Sequence, residues 1–455
     1  MTIENQLAEF VCTLQAREVP PAAQRVVRQM VMAVCGTALA GAGEDGIGAL
    51  RALLRERGGA PQATTFVFGD RLSAAAAARF NGTLCRALDY CDAMAPGPHI
   101  GSSLLPAALA AAELAGGCSG PQFFAALAAG AEVASRLNLA ESQYDGFDPT
   151  GVLVVFAATA AASRVLALTA TQTLHALALA FNRCGGSFQS NVDGTLAVRM
   201  VQGWVAETGV DCAQMAQRGI TGPPNFVAGH YGYAHLFGRD RFDAAAVVHD
   251  LGAEWRLQRV VFKKYPSCGV TQGVTELALS LVADAGLQAE QVAAAQVRLP
   301  PYAHKLVGHR FRIGANPRVD AQFSAGYCVA NAIARGASQL AHFAPQQVND
   351  ERVHRLVERI DVVADPALDA RGHTAVDLEV RTVDGRTLTR ALDVAPGFPG
   401  AALSDAQHRV RFDDCVAYAP HRLPTAQIER LVDAIDRLDA LDDVRQLAAL
   451  LIAPH

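Results

Sequence analysis

The sequence predicts a mainly α protein, with a large all-helical domain and a smaller α+β domain. Three observations predict it. Up to about residue 240, alanine-rich helical patterns are separated by short Gly/Pro turns. Near residue 258 the texture changes to short β-rich runs interspersed with helices. After about residue 400, amphipathic helix returns. The helical domain is therefore expected at residues 1–258, completed by 401–455, with the α+β domain at 259–400. At 455 residues the chain also exceeds one ordinary core, so two domains are the default.

Taken in order, "AAQRVVRQMVMAVCGTALAG", "PQFFAALAAGAEVASRLNLA" and "TQTLHALALAFNRCG" carry alanine on several sides, which lets helices approach closely. "RVVFKKYP" and "VAAAQVRLPPYAHKLVG" each contain a strand. "TAVDLEVRTVDGRTLTRALDVAPG" alternates with period two around Asp384-Gly385, a hairpin signal. Helices are expected in "VTQGVTELALSLVADAG" and "AQFSAGYCVANAIARG", and the tail "AQIERLVDAIDRLDALDDVRQLAALL" is amphipathic. A helical domain interrupted by an α+β domain implies a cleft between them as the ligand site.

Composition narrows the function. Apolar residues make up 51% and charged residues 18%, and a net charge of −5 comes without a basic patch, so nucleic acid is not an expected partner. The start, "MTIENQLAEFVCTL", lacks the regions of a signal peptide. The run "GVLVVFAATAAASRVLALTA" is apolar but carries Arg164, and reads as a covered helix rather than a membrane span. The ten cysteines form no C-x-x-C pair; Cys35, Cys212 and Cys328 sit in apolar helical patterns and read as buried thiols of a reducing compartment. A cytoplasmic protein is expected. Glycine-rich nucleotide loops, a G-x-S-x-G elbow and H-E-x-x-H are absent, and the 13 histidines lack metal-ligand spacing, so no cofactor and no metal are expected.

Four stretches carry candidate chemistry. In "LDYCDAMAPGPHIGSSLLP", Pro106 belongs in a first helical turn, so a helix should begin near Ser102 or Ser103, either of which can cap it. His99 then stands at the positive end of that helix, where free amides favour a bound carboxylate and a neutral imidazole. It is either a base or part of a solvated turn; Asp89 and Asp92 can orient its ring or bind substrate. In "YDGFDPTGVLVVFAAT", Asp148 and Pro149 read as N-cap and first residue of the next helix, the capping role outweighing a substrate role, while Tyr144 is a candidate donor. In "NRCGGSFQSNVDGTLAVRMVQGWVAETG", Arg199 near a helix entry is a candidate carboxylate ligand or a surface arginine. In "VVFKKYPSCGVTQGVTELAL", a strand runs into a helix starting near Ser267. Alternation sends Lys263 and Lys264 to opposite faces, so at most one enters a cleft, where it can transfer protons.

The ordered stretches "HIGSSLLPAALAAAELAG", "GFDPTGVLVVFAATAAASRVLAL", "AQRGITGPPNF", "FKKYPSCGVTQGV" and "DAQFSAGYCVANAIARG" resemble the landmarks of the MmgE/PrpD family, from about residue 5 to 450. That family includes 2-methylcitrate dehydratase, cis-aconitate decarboxylase and iminodisuccinate epimerase. The resemblance implies a cofactor-free enzyme, usually a homodimer, with a helical domain and a smaller α+β lid. Its chemistry is proton transfer at carbon beside a carboxylate. By position, the family's catalytic aspartate matches Asp89, its histidine matches His99, and the lysine before the aromatic-proline step matches Lys263. Three positions depart: the threonine is Ala93, the lysine of "K-x-L-H-x-G" is Val198 with Arg199 beside it, and the histidine of "F-H-P-T-G" is Asp148.

The resulting expectation is a lyase of the 2-methylcitrate dehydratase kind acting on a small polycarboxylic or amino-acid-like acid, with His99 and Lys263 as acid/base pair. Asp92, Ser102, Ser103, Tyr144, Asp148, Arg199, Ser267 and Cys268 are expected to line the substrate. An iminodisuccinate-type epimerase, a cis-aconitate-type decarboxylase and a non-catalytic carboxylate-binding homologue are the alternatives.

Overall fold

The computed structural model describes residues 1–314 and 316–454. The chain divides into two compact units: Met1–Val260 together with the chain from Cys415 onward, and Val261–Asp414. The second boundary falls later than residue 400 because residues 395–408 pack with the start of the second unit. Val261, Ala395 and Phe398 form one small core, the Phe262 amide donates to the Gly397 carbonyl (3.1 Å), and the Phe262 ring lies edge-on to His408 at 4.8 Å.

The first unit is built from helices, chiefly α1 (Pro21–Ala40), α2 (Ala74–Arg86), α3 (Gly101–Leu114), α4 (Gly120–Leu137), α5 (Val155–Val165), α6 (Ala170–Phe181) and α7 (Ala197–Gln217). Alanine covers the contact faces of α3, α4 and α5, and nearly every one is buried. With so little side-chain bulk between them, the helix backbones pack closely. α2 packs extensively against α7. A Cβ on Gly203 would overlap the Thr83 hydroxyl and the Arg79 carbonyl, so glycine sets the spacing there. α1 is extended by a short turn to Gly43, and it, rather than the 151–170 run, has the length and apolarity to cross a membrane; 72% of its apolar 18-residue window is buried within the protein.

The helix after Asp148 opens with a π-type turn, Thr150–Val154, before α5. The Asp148 carboxylate accepts from the Thr150 amide (2.8 Å), which bears out its reading as a cap.

The second unit carries a four-stranded mixed sheet with strands β1 (Val292–Leu299), β2 (Ile360–Ala364), β3 (Val376–Thr382) and β4 (Thr387–Leu392), in the order β2-β1-β3-β4. β1 and β2 are parallel; the other pairs are antiparallel. β3 and β4 form the hairpin expected at Asp384-Gly385, where Gly385 has φ 87° and the turn closes with Arg381 opposite Thr387. Helices α8 (Gln272–Ala285) and α9 (Ala325–Arg335) pack together, and their Val274, Leu277, Leu281, Cys328 and Val329 share a core with Val297, Leu378 and Val380 of the sheet. Both units are thus mainly helical or helix-covered, with strands confined to short edges and this one sheet among the described residues.

Candidate active site

The helical unit gathers Arg86, Asp89, Cys91, Asp92 and His99 where the end of α2 turns towards the start of α3. The turn passes a cis Ala95–Pro96 bond and a left-handed Asp89 (φ 53°), a conformation aspartate tolerates better than most residues. α3 starts at Gly101, one residue before the sequence reading, and Pro106 lies in its second turn rather than its first. The cap also differs. Ser102 and Ser103 are wholly buried inside the first turn, and Asp92, from nine residues upstream, caps instead. Its carboxylate accepts from the Ile100 amide (3.0 Å) and the Gly101 amide (2.9 Å). A carboxylate outcompetes a serine hydroxyl here because it is a full charge at the positive helix end. Gly101 makes room for it, since a Cβ there would overlap that carboxylate and Met30.

The amides at the start of α3 already hold a carboxylate of the protein itself, that of Asp92, and Ser102 and Ser103 lie buried beside it. The Ser103 hydroxyl instead donates to the Gln202 carbonyl (2.9 Å) and lies close to the Gln202 side-chain oxygen.

His99 is held through both its main chain and its ring. Its amide donates to the Thr150 hydroxyl (3.2 Å), and its carbonyl accepts from Gln202 Nε2 (3.1 Å). Ring Nδ1 stands 2.6 Å from the Asp92 main-chain oxygen. A carbonyl only accepts, so Nδ1 carries a proton, and in the neutral form of the ring Nε2 carries the lone pair. Cys91 Sγ lies 3.4 Å from the same Nδ1, and burial pushes that thiol up to about 11, so it stays protonated. Nε2 faces Asp89 Oδ1 at 3.7 Å.

Asp89 is in turn bound by the buried Arg86, Nη1 to Oδ1, at 2.5 Å. Burial alone would push the guanidinium down, yet Asp89, with Cys91 and Asp148, holds it above its ordinary value. Burial pushes the Asp148 carboxyl up, against the Thr150 amide and the pull of Arg86. Arg86, Thr150 and Gln202 were not singled out from sequence. Arg86 stands three residues before Asp89, which was the available signal; Thr150 and Gln202 had none.

Tyr144 and Arg199 each make contacts within the helical unit. The Tyr144 hydroxyl donates to Asn138 Oδ1 (2.8 Å) and accepts from the Leu139 amide (3.3 Å), a structural use. Arg199 Nη1 donates to the Asp45 carbonyl (2.7 Å), so its position at the entry to α7 is tied to the neighbouring loop.

In the second unit, Lys263 follows directly on the short strand Val260–Phe262 and is 5% exposed. Lys264 pairs with Glu276 Oε2 at 2.7 Å, and the Tyr265 hydroxyl reaches the same carboxylate. The two lysines therefore differ as alternation requires, one buried and one in a half-exposed ion pair. The helix expected near Ser267 starts later: a single turn covers Gly269–Thr271 and α8 begins at Gln272. The Gln272 side chain explains the delay. It accepts from the Tyr265 amide (2.8 Å) and donates to the Tyr265 carbonyl (3.0 Å), fixing an open turn. Gln322 adds a bond from Nε2 to the Pro266 carbonyl (2.9 Å), and its own carbonyl takes the Cys268 amide (3.0 Å). Ser267 is buried, its hydroxyl bonded by Thr271 (2.7 Å), and Cys268 is half-buried at the turn's end. Among the described residues, no group of three or more His, Cys, Asp or Glu side chains is placed to hold a metal ion.

Comparison with known proteins follows the same division. Residues 5–244 match the MmgE/PrpD N-terminal domain and residues 265–437 the MmgE/PrpD C-terminal domain. The chain is 26% identical over 399 residues to cis-aconitate decarboxylase of Homo sapiens, covering 84% of this chain and 80% of that protein. It is 25% identical over 409 residues to a cis-aconitate decarboxylase-like protein of Aspergillus oryzae, covering 84% and 83%. The chain belongs to the MmgE/PrpD family.

Proposed function

We propose that this protein is a lyase that moves a proton at the carbon beside a carboxylate of a small polycarboxylic or amino-acid-like acid, with His99 Nε2 as the base and Lys263 as the acid. One observation carries the reading: the 2.6 Å contact of Nδ1 with the Asp92 carbonyl, which leaves Nε2 able to accept a proton. The buried Lys263 supplies a second group able to give one. In a dehydration the base takes the α-proton and the acid protonates the departing hydroxyl. In a decarboxylation, the bond to CO2 breaks and its electron pair is protonated at carbon. The names of the relatives favour testing cis-aconitate first. Val198, standing where the family pattern has a lysine, favours substrates with fewer charges than a tricarboxylate, so dicarboxylic acids belong in the same panel.

The test is proton NMR of cis-aconitate, 2-methylcitrate and four-carbon hydroxy and amino dicarboxylates incubated with the enzyme in D2O. Deuterium incorporation or turnover of at least one acid is expected, falling about 100-fold or more in His99→Ala and in Lys263→Ala. Loss of CO2 selects decarboxylation, an alkene with loss of water selects dehydration, and a mirror-image product selects epimerisation. Exchange that persists undiminished in both variants would sink the assignment.

A further inference from the structure

We infer that Arg86 is a positioning residue that fixes the Asp89 carboxylate beside His99 and shares its charge, so that the histidine rests as neutral imidazole. The inference rests on the reading of His99 as base and adds a residue to which that reading gave no part.

Arg86 closes α2 and is 8% exposed, a place where an unpaired guanidinium would be costly. The chain turns back directly after it. The Asp89 amide donates to the Arg86 carbonyl (3.2 Å), and the left-handed φ of 53° at Asp89 folds its carboxylate onto the guanidinium. One oxygen of that carboxylate, Oδ1, is 2.5 Å from Arg86 Nη1 and 3.7 Å from His99 Nε2. The short contact belongs to the arginine and the long one to the histidine. A carboxylate facing Nε2 alone would favour the imidazolium, which has no lone pair to accept a proton. Arg86 draws charge towards itself and leaves Asp89 close enough to stabilise the imidazolium once a proton has arrived.

The other titratable groups of the helical unit at this point do not supply the same balance. The Cys91 thiol is neutral, the Asp92 carboxylate is bound to the Ile100 and Gly101 amides, and Asp148 faces Arg86 while its carboxylate caps the Thr150 turn. Arg86 is a cation that Asp89 and Asp148 both face.

The experiment reads the titration of His99 directly and needs no substrate. In protein labelled with 13C-histidine, the His99 Cε1–Hε1 signal is assigned by its loss in His99→Gln and followed with pH. Arg86→Met is expected to raise its midpoint by about one unit, and Asp89→Asn to lower it by a similar amount. Arg86→Lys, which keeps the charge, is expected to return the midpoint towards that of the native protein. Should Arg86→Met fail to fold, the same comparison is made with both charges removed: Asp89→Asn/Arg86→Met against Asp89→Asn, where the midpoint again rises. A midpoint unmoved by loss of Arg86, or lowered by it, in either background overturns the inference. The base assignment fails separately, through exchange that survives His99→Ala, so the two outcomes are told apart.

Discussion

Asp92 does two jobs with different atoms. Its carbonyl sets the tautomer of His99, and its carboxylate starts α3. Asp92→Ala strips the acceptor from two buried amides, each worth about 1–3 kcal/mol when left unsatisfied. A loss of about 2–4 kcal/mol in urea unfolding is expected, with a smaller loss for Asp92→Asn, which keeps one acceptor oxygen. Equal losses for the two would contradict the capping role. This residue also shows where sequence reading stops. His99 was legible because a histidine beside a Gly-Ser-Ser turn and a proline marks a helix start. That the cap would come from nine residues upstream was not, since serine is itself a common cap and the folding back of the chain leaves no local pattern. Arg86 escaped for a similar reason: a cation in the last turn of a helix is ordinary, and nothing in the sequence says that this one is buried.

At the scale of elements, the crossing of α2 and α7 places Arg86 and Gln202, which come from chain positions more than a hundred residues apart. Gly203 sets the depth of that crossing. Gly203→Ala gains up to about 1 kcal/mol in helix propensity, but its methyl meets backbone oxygen, and overpacking costs about 1–3 kcal/mol. A net destabilisation of about 1–2 kcal/mol is expected in urea melts, whereas a stabilised variant would show that the helices part without penalty. Helices of this kind were readable from their alanine stripes, and the β3–β4 hairpin from Asp384-Gly385. The start of α8 was not, because the displaced boundary is imposed by the Gln272 side chain returning to Tyr265, a contact that periodicity does not encode.

Across the whole molecule, the response to acid follows from a buried and a half-buried histidine in the second unit. His408 is 2% exposed, neither ring nitrogen has a hydrogen-bond partner, and burial, aided by Arg411, pushes it down to about 3. Burial with Arg335 pushes His342 down to about 4. In each case the unfolded chain binds the proton more readily than the folded one. Stability is therefore full above pH 6.5 and is lost as pH falls from there towards the folded value. Asp414, raised by burial to about 6, acts in the opposite sense, adding stability as pH falls through that value. His408→Phe keeps a ring against Phe262 and removes one titration. Its stability relative to the native protein is expected to improve between pH 6.5 and 4 by as much as about 1.4 kcal/mol per pH unit, with no such trend above pH 7. Parallel stability curves across that range would refute the assignment.

The contact that orients His99 comes from the main chain at position 92, and every amino acid supplies a carbonyl there. Mutation of that side chain therefore puts folding at risk while leaving the hydrogen-bond acceptor for Nδ1 in the covalent backbone. The proton on Nδ1 is thus assigned by the chain itself, whatever side chain stands at position 92.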